Sequence, residues 1–228
     1  KEQIDNIYSN WKRWNVFYFT TVWNPTWEKI NNLKEIISYI VNYDYKSIII
    51  LDNVYVWILK NQVSKDIFKE IFNDNKILNN LIFSESLSKT LWTTWIRIGW
   101  VWSLNKELNN KIRLNIISKK AWFSKLIDSF WVNLLSKLDE VINFQDHAYM
   151  HFSEQRIKFL NFLKQNYIKY YDFDISPKVI DREGIYLLIK IKHWYSFNEI
   201  FSKTWAIWVW VNLSDWNYIR YAFWNVSY

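Results

Sequence analysis

Three apolar segments of strand length alternate with helical segments in the first half of the chain. Segments 15–22, 47–56 and 77–86 are rich in β-branched, aromatic and aliphatic residues, which is typical of strands buried on both faces. Segments 28–42 and 64–74 have apolar residues at helical spacing. Strands that alternate with helices form parallel sheets, because each helix returns the chain to the start of the next strand. The pattern therefore predicts an α/β fold with a mostly parallel sheet and helices on its faces.

The second half of the chain alternates differently. Helices are predicted at 104–120, 123–142, 146–166 and 196–203, and strands at 170–176, 184–191, 206–211 and 217–223. The helix over 146–166 is long and amphipathic. A run of helices followed by closely spaced strands predicts a smaller α+β domain. We place the domain boundary so that residues 1–144 form one domain and residues 145–228 form the other.

Glycine and tryptophan occur in unusual proportion. The chain has 2 glycines and 17 tryptophans among 228 residues, whereas glycine makes up about 7% of an average protein. Several tryptophans stand where a chain turns and where glycine tolerates a positive φ: Trp11, Trp14, Trp27, Trp122, Trp205 and Trp216. Our hypothesis is that most of the tryptophans stand for glycine, through a gene that uses UGA codons for glycine. The alternative is a chain truly rich in tryptophan, which UGG codons would establish.

Charge, cysteine content and run length narrow the class of protein. A net charge of +7 and an aromatic content of 21% would suit nucleic-acid binding, but the lysines alternate with acidic residues along helical segments. The absence of cysteine excludes disulfides and thiolate metal sites and favours a reducing compartment. The longest apolar runs fall short of the roughly 18 residues that a membrane span needs. We expect a soluble cytoplasmic protein with no nucleic-acid or membrane partner. His147, His151 and His193 lack metal-ligand spacing, so no metal is expected.

Polar side chains follow each of the three apolar strands. Asn24 follows the first strand, Asp52 and Tyr55 follow the second, and residues 86–89 follow the third. Ligands of open parallel sheets bind beyond the carboxyl ends of the strands. We therefore expect these residues, which are far apart in the sequence, to form one binding crevice.

The third of these polar segments resembles a cofactor-binding motif once glycine is placed at the tryptophan positions. Residues 86–99 then read S-L-S-K-T-L-G-T-T-G-I-R-I-G, which resembles the pyridoxal-phosphate lysine motif of class I/II aminotransferases, the fold-type-I enzymes. Residues 24–27 resemble the family's N-P-T-G, and residues 52–55 resemble its D-x-x-Y. Three motifs in the family's order, each at a strand end, make the resemblance specific. It extends from about residue 15 to the C-terminus.

The resemblance implies a fold and a reaction. Residues 1–144 would be the C-terminal part of the large cofactor-binding domain, and residues 145–228 the small C-terminal α+β domain. The implied reaction transfers an amino group between an amino acid and a 2-oxo acid, with pyridoxal 5'-phosphate as cofactor, in a homodimer. Family members are nearly twice as long as this chain, which begins at Lys1 rather than Met. We therefore expect a fragment that binds the cofactor poorly, if at all, and that is inactive by itself.

The resemblance also assigns roles to residues of the crevice. Lys89 is the catalytic residue, because the cofactor's aldehyde needs an amine with which to form a Schiff base. Asp52 keeps the pyridine nitrogen protonated, so that the ring accepts electrons. Tyr55 and Asn24 bind the cofactor's phenolic oxygen, and Asn24 also contacts the substrate. The ordinary alternatives are a surface lysine, an aspartate that caps a turn, and an Asx turn before Pro25.

The anionic groups of the cofactor and of the substrate require hydroxyl and cationic donors. The resemblance assigns the cofactor phosphate to Ser86 and Arg97, with Ser88 as a further contributor, because a guanidinium binds phosphate through two parallel hydrogen bonds. Arg220, in the segment N-Y-I-R-Y-A-F, resembles the family's arginine for the substrate carboxylate. The structural alternatives are a surface ion pair for Arg97 and a strand arginine for Arg220.

Other functions are compatible with parts of the same pattern. Ser86 and Lys89 also fit the S-x-x-K motif of penicillin-recognising serine acylases, and 203–205 would become K-T-G. That interpretation needs an S-x-N motif between them, and the candidate at 196–198 lies too close to Lys203. An amino-acid decarboxylase or lyase would use the same lysine and aspartate. A non-catalytic aminotransferase-like domain that binds an effector is a further alternative. The amino donor and acceptor do not follow from the sequence.

Overall fold

The computed structural model describes residues 2–10, 15–23, 29–56, 61–90, 99–119, 129–130, 132–134, 136–173, 186–196, 199–200, 208–213 and 216–222. The chain divides into two compact units. The first consists of Lys1–Val22 and Lys29–Gln145, and the second of Trp23–Glu28 and Asp146–Tyr228.

The first unit contains a four-stranded sheet. Its strands are β1 (Val16–Thr20), β2 (Ile48–Asp52), β3 (Leu81–Ser86) and β4 (Gly99–Trp102), in the order β1-β2-β3-β4. The pairs β1–β2 and β2–β3 are parallel, and β4 runs antiparallel to β3. The prediction of an α/β fold with a mostly parallel sheet is therefore confirmed. The carboxyl ends of the three parallel strands lie at one edge of the sheet.

Helices flank this sheet. They are α1 (Glu2–Asn10), α2 (Leu33–Tyr43), α3 (Asn61–Phe72), α4 (Asn75–Leu78), α5 (Leu87–Thr90) and α6 (Lys106–Lys119). In α2, the buried residues Leu33, Ile37 and Ile40 recur at helical spacing, so one face of the helix is apolar. Ile49 and Leu51 of β2 are fully buried. Each such side chain contributes about 1.5–3 kcal/mol when it is removed from water.

The third strand is shorter than the predicted segment 77–86. The side chain of Asp74 accepts a hydrogen bond from the backbone N–H of Lys76 at 3.1 Å and caps α4. Ile77 and Leu78 are buried, but they belong to this helical turn and not to a strand. The strand therefore begins at Leu81, because the cap satisfies the backbone donors in a helical arrangement.

The second unit contains an antiparallel sheet and much of one long helix. The helix is α7 (Leu138–Tyr167), and the strands are β5 (Tyr171–Asp172), β6 (Tyr186–Ile191), β7 (Trp208–Leu213) and β8 (Trp216–Ala222). The strand order is β5-β6-β8-β7. Phe159 and Leu163 of α7 pack in one buried cluster with Tyr171, Ile189 and Tyr221 of the sheet. This unit has the α+β character that the sequence predicts.

Helix α7 corrects the prediction of separate helices at 123–142 and 146–166. The structure has one continuous helix from Leu138 to Tyr167, and residues 121–128 lie outside the described residues. No glycine or proline occurs between residues 138 and 167, so no residue there interrupts helical hydrogen bonding. Of the predicted helix 196–203, the structure describes helical residues at 199–200. None of the described helices is long and apolar enough to cross a membrane.

Candidate functional site

Asp52 is the last residue of β2 and lies half-buried at the carboxyl edge of the first sheet. Its two carboxylate oxygens have different donors. The backbone N–H of Val54 donates to Oδ1 at 3.1 Å, and the hydroxyl of Tyr18 in β1 donates to Oδ2 in a short hydrogen bond. The carboxylate is thus held by its own turn and by the neighbouring strand. Each oxygen retains a lone pair for a further donor.

The backbone of Asp52 is held by Thr21. Both the N–H and the hydroxyl of Thr21 lie 3.0 Å from the carbonyl oxygen of Asp52. The Thr21 hydroxyl is also 3.0 Å from Oδ1 of Asn53, and both side chains are buried, at 1% and 0% exposure. The backbone N–H of Asn53 donates to the carbonyl of Ser84 at 2.8 Å. These bonds join the ends of β1, β2 and β3.

Tyr55 and Lys89 meet at the same edge of the sheet. A hydrogen bond of 3.0 Å from the N–H of Val56 to the carbonyl of Asn53 closes the turn that carries Tyr55. The Nζ atom of Lys89 lies 6.0 Å from the centroid of the Tyr55 ring, at the limit of a cation–π contact. Both side chains are half-buried. The turn after β2 and the helical turn after β3 therefore bring a phenol and an amine together.

Lys89 is positioned by the serine that ends β3. The Oγ atom of Ser86 accepts a hydrogen bond from the N–H of Ser88 at 3.0 Å, which caps the short helix α5. Ser88 is buried, at 8% exposure. Ser86 pairs with Gly99 of β4, where a Cβ atom would lie only 2.9 Å from the carbonyl oxygen of Glu85. Glycine at position 99 therefore lets β4 approach the strand that carries the serines.

Five of the residues expected in the cofactor crevice lie at this edge: Asp52, Tyr55, Ser86, Ser88 and Lys89. Asn24 and Arg97 lie outside the described residues. Among the described residues, no group of three or more His, Cys, Asp or Glu side chains is placed to hold a metal ion.

Arg220 belongs to the sheet of the second unit. It lies half-buried in β8, opposite Leu188 of β6. The neighbouring pair on the same face of the sheet is Lys190 and Tyr218. Lys190 is buried, at 7% exposure, and burial together with the negative charge of Asp172 raises the pKa of Tyr218. Arg220, Lys190 and Tyr218 thus share one face of the sheet with Leu188, whereas the opposite face contributes to the buried cluster with α7.

Three residues that contact or adjoin Asp52 were not expected from the sequence: Tyr18, Thr21 and Asn53. Tyr18 and Thr21 belong to an apolar run that indicates a strand and gives no sign of a site. The contact of Tyr18 with Asp52 follows from the register of β1 and β2. Thr20 pairs with Asp52, so Tyr18, two residues earlier, lies diagonally across from Asp52. The pKa of Tyr18 is raised to about 12 by partial burial, by its hydrogen bond to Asp52 and by the negative charge of Asp52. Tyr18 therefore remains a protonated donor at pH values where an ordinary tyrosine has lost its proton.

Several solved structures that are similar to this chain are aminotransferases. A methionine aminotransferase of Escherichia coli matches with a TM-score of 0.70 and 11% identity, over 96% of this chain and 57% of that chain. An archaeal alanine:glyoxylate aminotransferase matches with a TM-score of 0.66 and 18% identity, over 97% and 54%. A PLP-dependent aminotransferase of Streptococcus suis matches with a TM-score of 0.63 and 18% identity, over 92% and 52%.

The chain thus has the fold of the class I/II aminotransferases, as the sequence resemblance implies. It spans just over half the length of the aminotransferases named above. No protein-family model and no curated protein matches the sequence.

The donor set at the sheet edge fits pyridoxal phosphate chemically. The aldehyde needs an amine, the pyridine nitrogen needs a carboxylate, and the phenolic oxygen needs a donor. Lys89, Asp52 and Tyr55 carry groups of these kinds at two adjacent strand ends and would hold the cofactor there. Ser86 and Ser88 carry hydroxyl groups, which can donate hydrogen bonds to phosphate oxygens.

Proposed function

We propose that this chain is part of a pyridoxal-phosphate-dependent aminotransferase, which transfers an amino group between an amino acid and a 2-oxo acid. The observation that carries the proposal is the position of Lys89. Its amine lies beside Tyr55 at the carboxyl edge of a parallel sheet, one strand away from the carboxylate of Asp52. The fold shared with solved aminotransferases supports the proposal.

Each residue at this edge has a defined task in the proposal. Pyridoxal phosphate, when bound, supplies an electron sink that stabilises negative charge at the substrate's Cα. Lys89 binds the cofactor's aldehyde carbon through Nζ and afterwards carries a proton between substrate and cofactor. Asp52 holds a proton at the pyridine nitrogen. Tyr55 donates a hydrogen bond to the phenolic oxygen, and its turn fixes the direction of that bond.

The anionic groups are assigned to the remaining predicted residues. Ser86, Ser88 and Arg97 bind the cofactor phosphate, Asn24 binds the phenolic oxygen and contacts substrate, and Arg220 binds the substrate carboxylate through two hydrogen bonds. In the same proposal, residues 1–144 are part of the large domain and residues 145–228 form the small domain. The whole protein works as a homodimer in the cytoplasm, as the family resemblance implies.

Reductive trapping tests the role of Lys89. The full-length protein encoded by the gene is mixed with pyridoxal phosphate, treated with borohydride and digested, and the pyridoxylated lysines are located by mass spectrometry. Borohydride makes the bond between Nζ and the cofactor permanent, so weak binding is also detected. We expect Lys89 to be labelled at cofactor concentrations that leave other lysines free.

Lys46 provides a matched comparison. Its Nζ lies 5.6 Å from the centroid of the Tyr45 ring, so it also stands beside a tyrosine. Lys46 precedes β2, however, whereas Asp52 is the last residue of that strand, so the two lie at opposite ends of β2. Lys89→Met should abolish the specific label, and Lys46→Met should not change it. Equal labelling of Lys46 and Lys89 in the wild-type chain would overturn the proposal.

The reaction itself is tested on the full-length protein encoded by the gene. It is incubated with an amino acid, a 2-oxo acid and pyridoxal phosphate, and amino acids and carbon dioxide are measured. We expect a new amino acid derived from the 2-oxo acid, without release of carbon dioxide. Release of carbon dioxide without amino transfer would instead establish the decarboxylase alternative.

A further inference from the structure

We propose that Tyr18 and Thr21 of the first strand segment are positioning residues, which hold Asp52 in place for the pyridine nitrogen of the cofactor. The inference rests on the proposed function and extends it, because neither residue belongs to the motifs that carry the family resemblance. It concerns how the carboxylate of Asp52 is aimed, and it stands on contacts within the first unit.

The first contact fixes the backbone of Asp52. The N–H and the hydroxyl of Thr21 both lie 3.0 Å from the carbonyl oxygen of Asp52. Thr21 lies one residue beyond the last residue of β1, and the register pairs Thr20 with Asp52. The side chain of Thr21 thus continues the strand pairing past the point where the ladder ends. The Cα position of Asp52 is then set by β1 as well as by β3.

The buried amide of Asn53 identifies the direction of the Thr21 hydroxyl. A threonine hydroxyl has one proton, so it donates either to the Asp52 carbonyl or to Asn53 Oδ1, although both lie at 3.0 Å. Asn53 is fully buried, and its Nδ2 has no hydrogen-bond partner among the described residues.

Rotation of the Asn53 side-chain amide by half a turn, which exchanges Oδ1 and Nδ2, explains both the two short distances of the Thr21 hydroxyl and the missing partner of Nδ2. Nδ2 then donates to the Thr21 oxygen, and the Thr21 hydroxyl donates to the carbonyl of Asp52. The result is a buried relay of hydrogen bonds that runs from Asn53 through Thr21 to the backbone of Asp52.

The second contact fixes the carboxylate of Asp52. Tyr18 donates to Oδ2, and the N–H of Val54 donates to Oδ1 at 3.1 Å. Donors on both oxygens determine the plane of the carboxylate, whereas a single donor would leave it free to rotate about the Cβ–Cγ bond. Burial and Asp52 raise the pKa of Tyr18 from 10.0 to about 12, so its hydroxyl remains a donor even above pH 10. One lone pair on each oxygen remains available to the pyridine N–H.

The test measures the affinity of the full-length protein encoded by the gene for pyridoxal phosphate, with Lys89-specific trapping as the readout. Without the Tyr18 donor the carboxylate is free to rotate, so part of the binding energy must be used to orient it; a tenfold loss of affinity corresponds to about 1.4 kcal/mol. We expect Tyr18→Phe to weaken cofactor binding about tenfold. The midpoint at which the visible absorbance of the bound cofactor changes with pH should also shift, since the carboxylate beside the ring is altered.

Tyr39→Phe is the matched control. Tyr39 also donates a short hydrogen bond to an aspartate, Asp5, and its pKa is also raised to about 12 by that bond and by burial. The same chemical change is thus made at a tyrosine–aspartate pair outside the site, and cofactor affinity should not change. Tyr18 is 59% exposed, so Tyr18→Phe leaves the core intact.

A double-mutant cycle separates positioning from a general structural effect. If Tyr18 acts through Asp52, Tyr18→Phe has no further effect on affinity in the Asp52→Ala variant.

Thr21→Ser retains the hydroxyl and should retain affinity, whereas Thr21→Val should weaken it.

Equal cofactor affinities for Tyr18→Phe, Tyr39→Phe and the wild-type chain would overturn the positioning inference and leave the proposed function standing. Failure of the full-length wild-type protein to take up the cofactor at Lys89 would overturn the proposed function, and the inference with it.

Discussion

The backbone N–H and the hydroxyl of Thr21 both lie 3.0 Å from the carbonyl oxygen of Asp52, and each can donate a hydrogen bond to it. Thr21 is 1% exposed and lies 31 positions earlier in the sequence. Two donors from one residue act on one acceptor, so the end of β2 is held more firmly than strand pairing alone would hold it. The contact is made to the backbone of the residue whose carboxylate we assign to the cofactor.

Thr21→Val keeps the shape of this side chain and removes its hydroxyl. The Asn53 amide, which is fully buried, then loses the group that lies 3.0 Å from it. A buried polar group that loses its partner costs about 1–3 kcal/mol. We expect the free energy of unfolding, measured in urea, to fall by about that amount. Thr21→Ser, which retains the hydroxyl, should lose much less, and equal stability of the two variants would contradict the prediction.

Alkaline pH should destabilise the chain partly through Tyr18. Burial, the hydrogen bond to Asp52 and the charge of Asp52 raise the pKa of Tyr18 from 10.0 to about 12. Between these values the unfolded chain loses the proton while the folded chain keeps it. The unfolded state then binds fewer protons, so the stabilisation present below about pH 10 is lost as the pH rises through about 12.

Tyr18→Phe should therefore reduce the fall in the free energy of unfolding across this pH window, measured by urea titrations at several pH values. Asp52→Asn should act in the same direction, because it removes the charge and weakens the hydrogen bond that raise the pKa of Tyr18. An unchanged pH dependence in Tyr18→Phe would show that Tyr18 does not titrate differently in the folded chain.

The fold of the first unit was largely predictable from local patterns. Continuous runs of apolar residues indicated β1, β2 and β3, and the helical spacing between them indicated the crossovers. Strand ends were less predictable, because they depend on competing caps. Asp74 caps a helical turn that extends into the third apolar run, by accepting a hydrogen bond from the N–H of Lys76. The strand therefore starts later than the apolar run does. The single helix α7 was missed although the sequence contains no residue that would interrupt it.

The candidate site was predictable where a motif lies within a few residues. Asp52, Tyr55, Ser86 and Lys89 stand at fixed local spacings, and their roles remain predictions. The contact between Tyr18 and Asp52 joins residues 34 positions apart. It depends on the register of two strands, which follows from packing and loop geometry rather than from a local pattern. Long-range hydrogen bonds of this kind therefore required the structure.

The second unit contains a buried pair of tyrosine hydroxyls. Tyr171 and Tyr221 are 1% and 2% exposed, and their hydroxyl groups share a short hydrogen bond. Replacement of either tyrosine by phenylalanine removes a partner from a buried polar group, which should cost about 1–3 kcal/mol of unfolding free energy.

The double variant tests the pairing of these hydroxyls. Tyr171→Phe/Tyr221→Phe removes both polar groups at once, so its loss should be smaller than the sum of the single losses by about 0.5–3 kcal/mol. Urea unfolding of the four chains gives this coupling energy. Strict additivity would mean that the two hydroxyls do not stabilise one another.

Two described tryptophans differ in what their rings contact. Trp102 stacks on Phe83 with ring centroids 4.3 Å apart, and its Nε1–H donates to Glu85 at 3.2 Å. Trp194 is 62% exposed and lies in a turn. In the chain that has tryptophan at both positions, Trp102→Gly should lower the free energy of unfolding by about 3 kcal/mol. Trp194→Gly should change it by no more than about 0.5 kcal/mol. Similar losses in both variants, measured in urea, would contradict this.

The hypothesis that most tryptophans stand for glycine makes a prediction for the natural protein. Trp92 and Trp95 lie outside the described residues, in the segment that resembles a phosphate-binding loop. Gly99, a glycine under either hypothesis, illustrates the requirement beside that loop, because a Cβ there would lie 2.9 Å from a backbone oxygen. We expect peptides of protein isolated from its natural source to have the masses of glycine at positions 92 and 95, and the gene to have UGA codons there. Tryptophan masses with UGG codons would contradict the hypothesis and leave two bulky rings in a loop that must approach a phosphate closely.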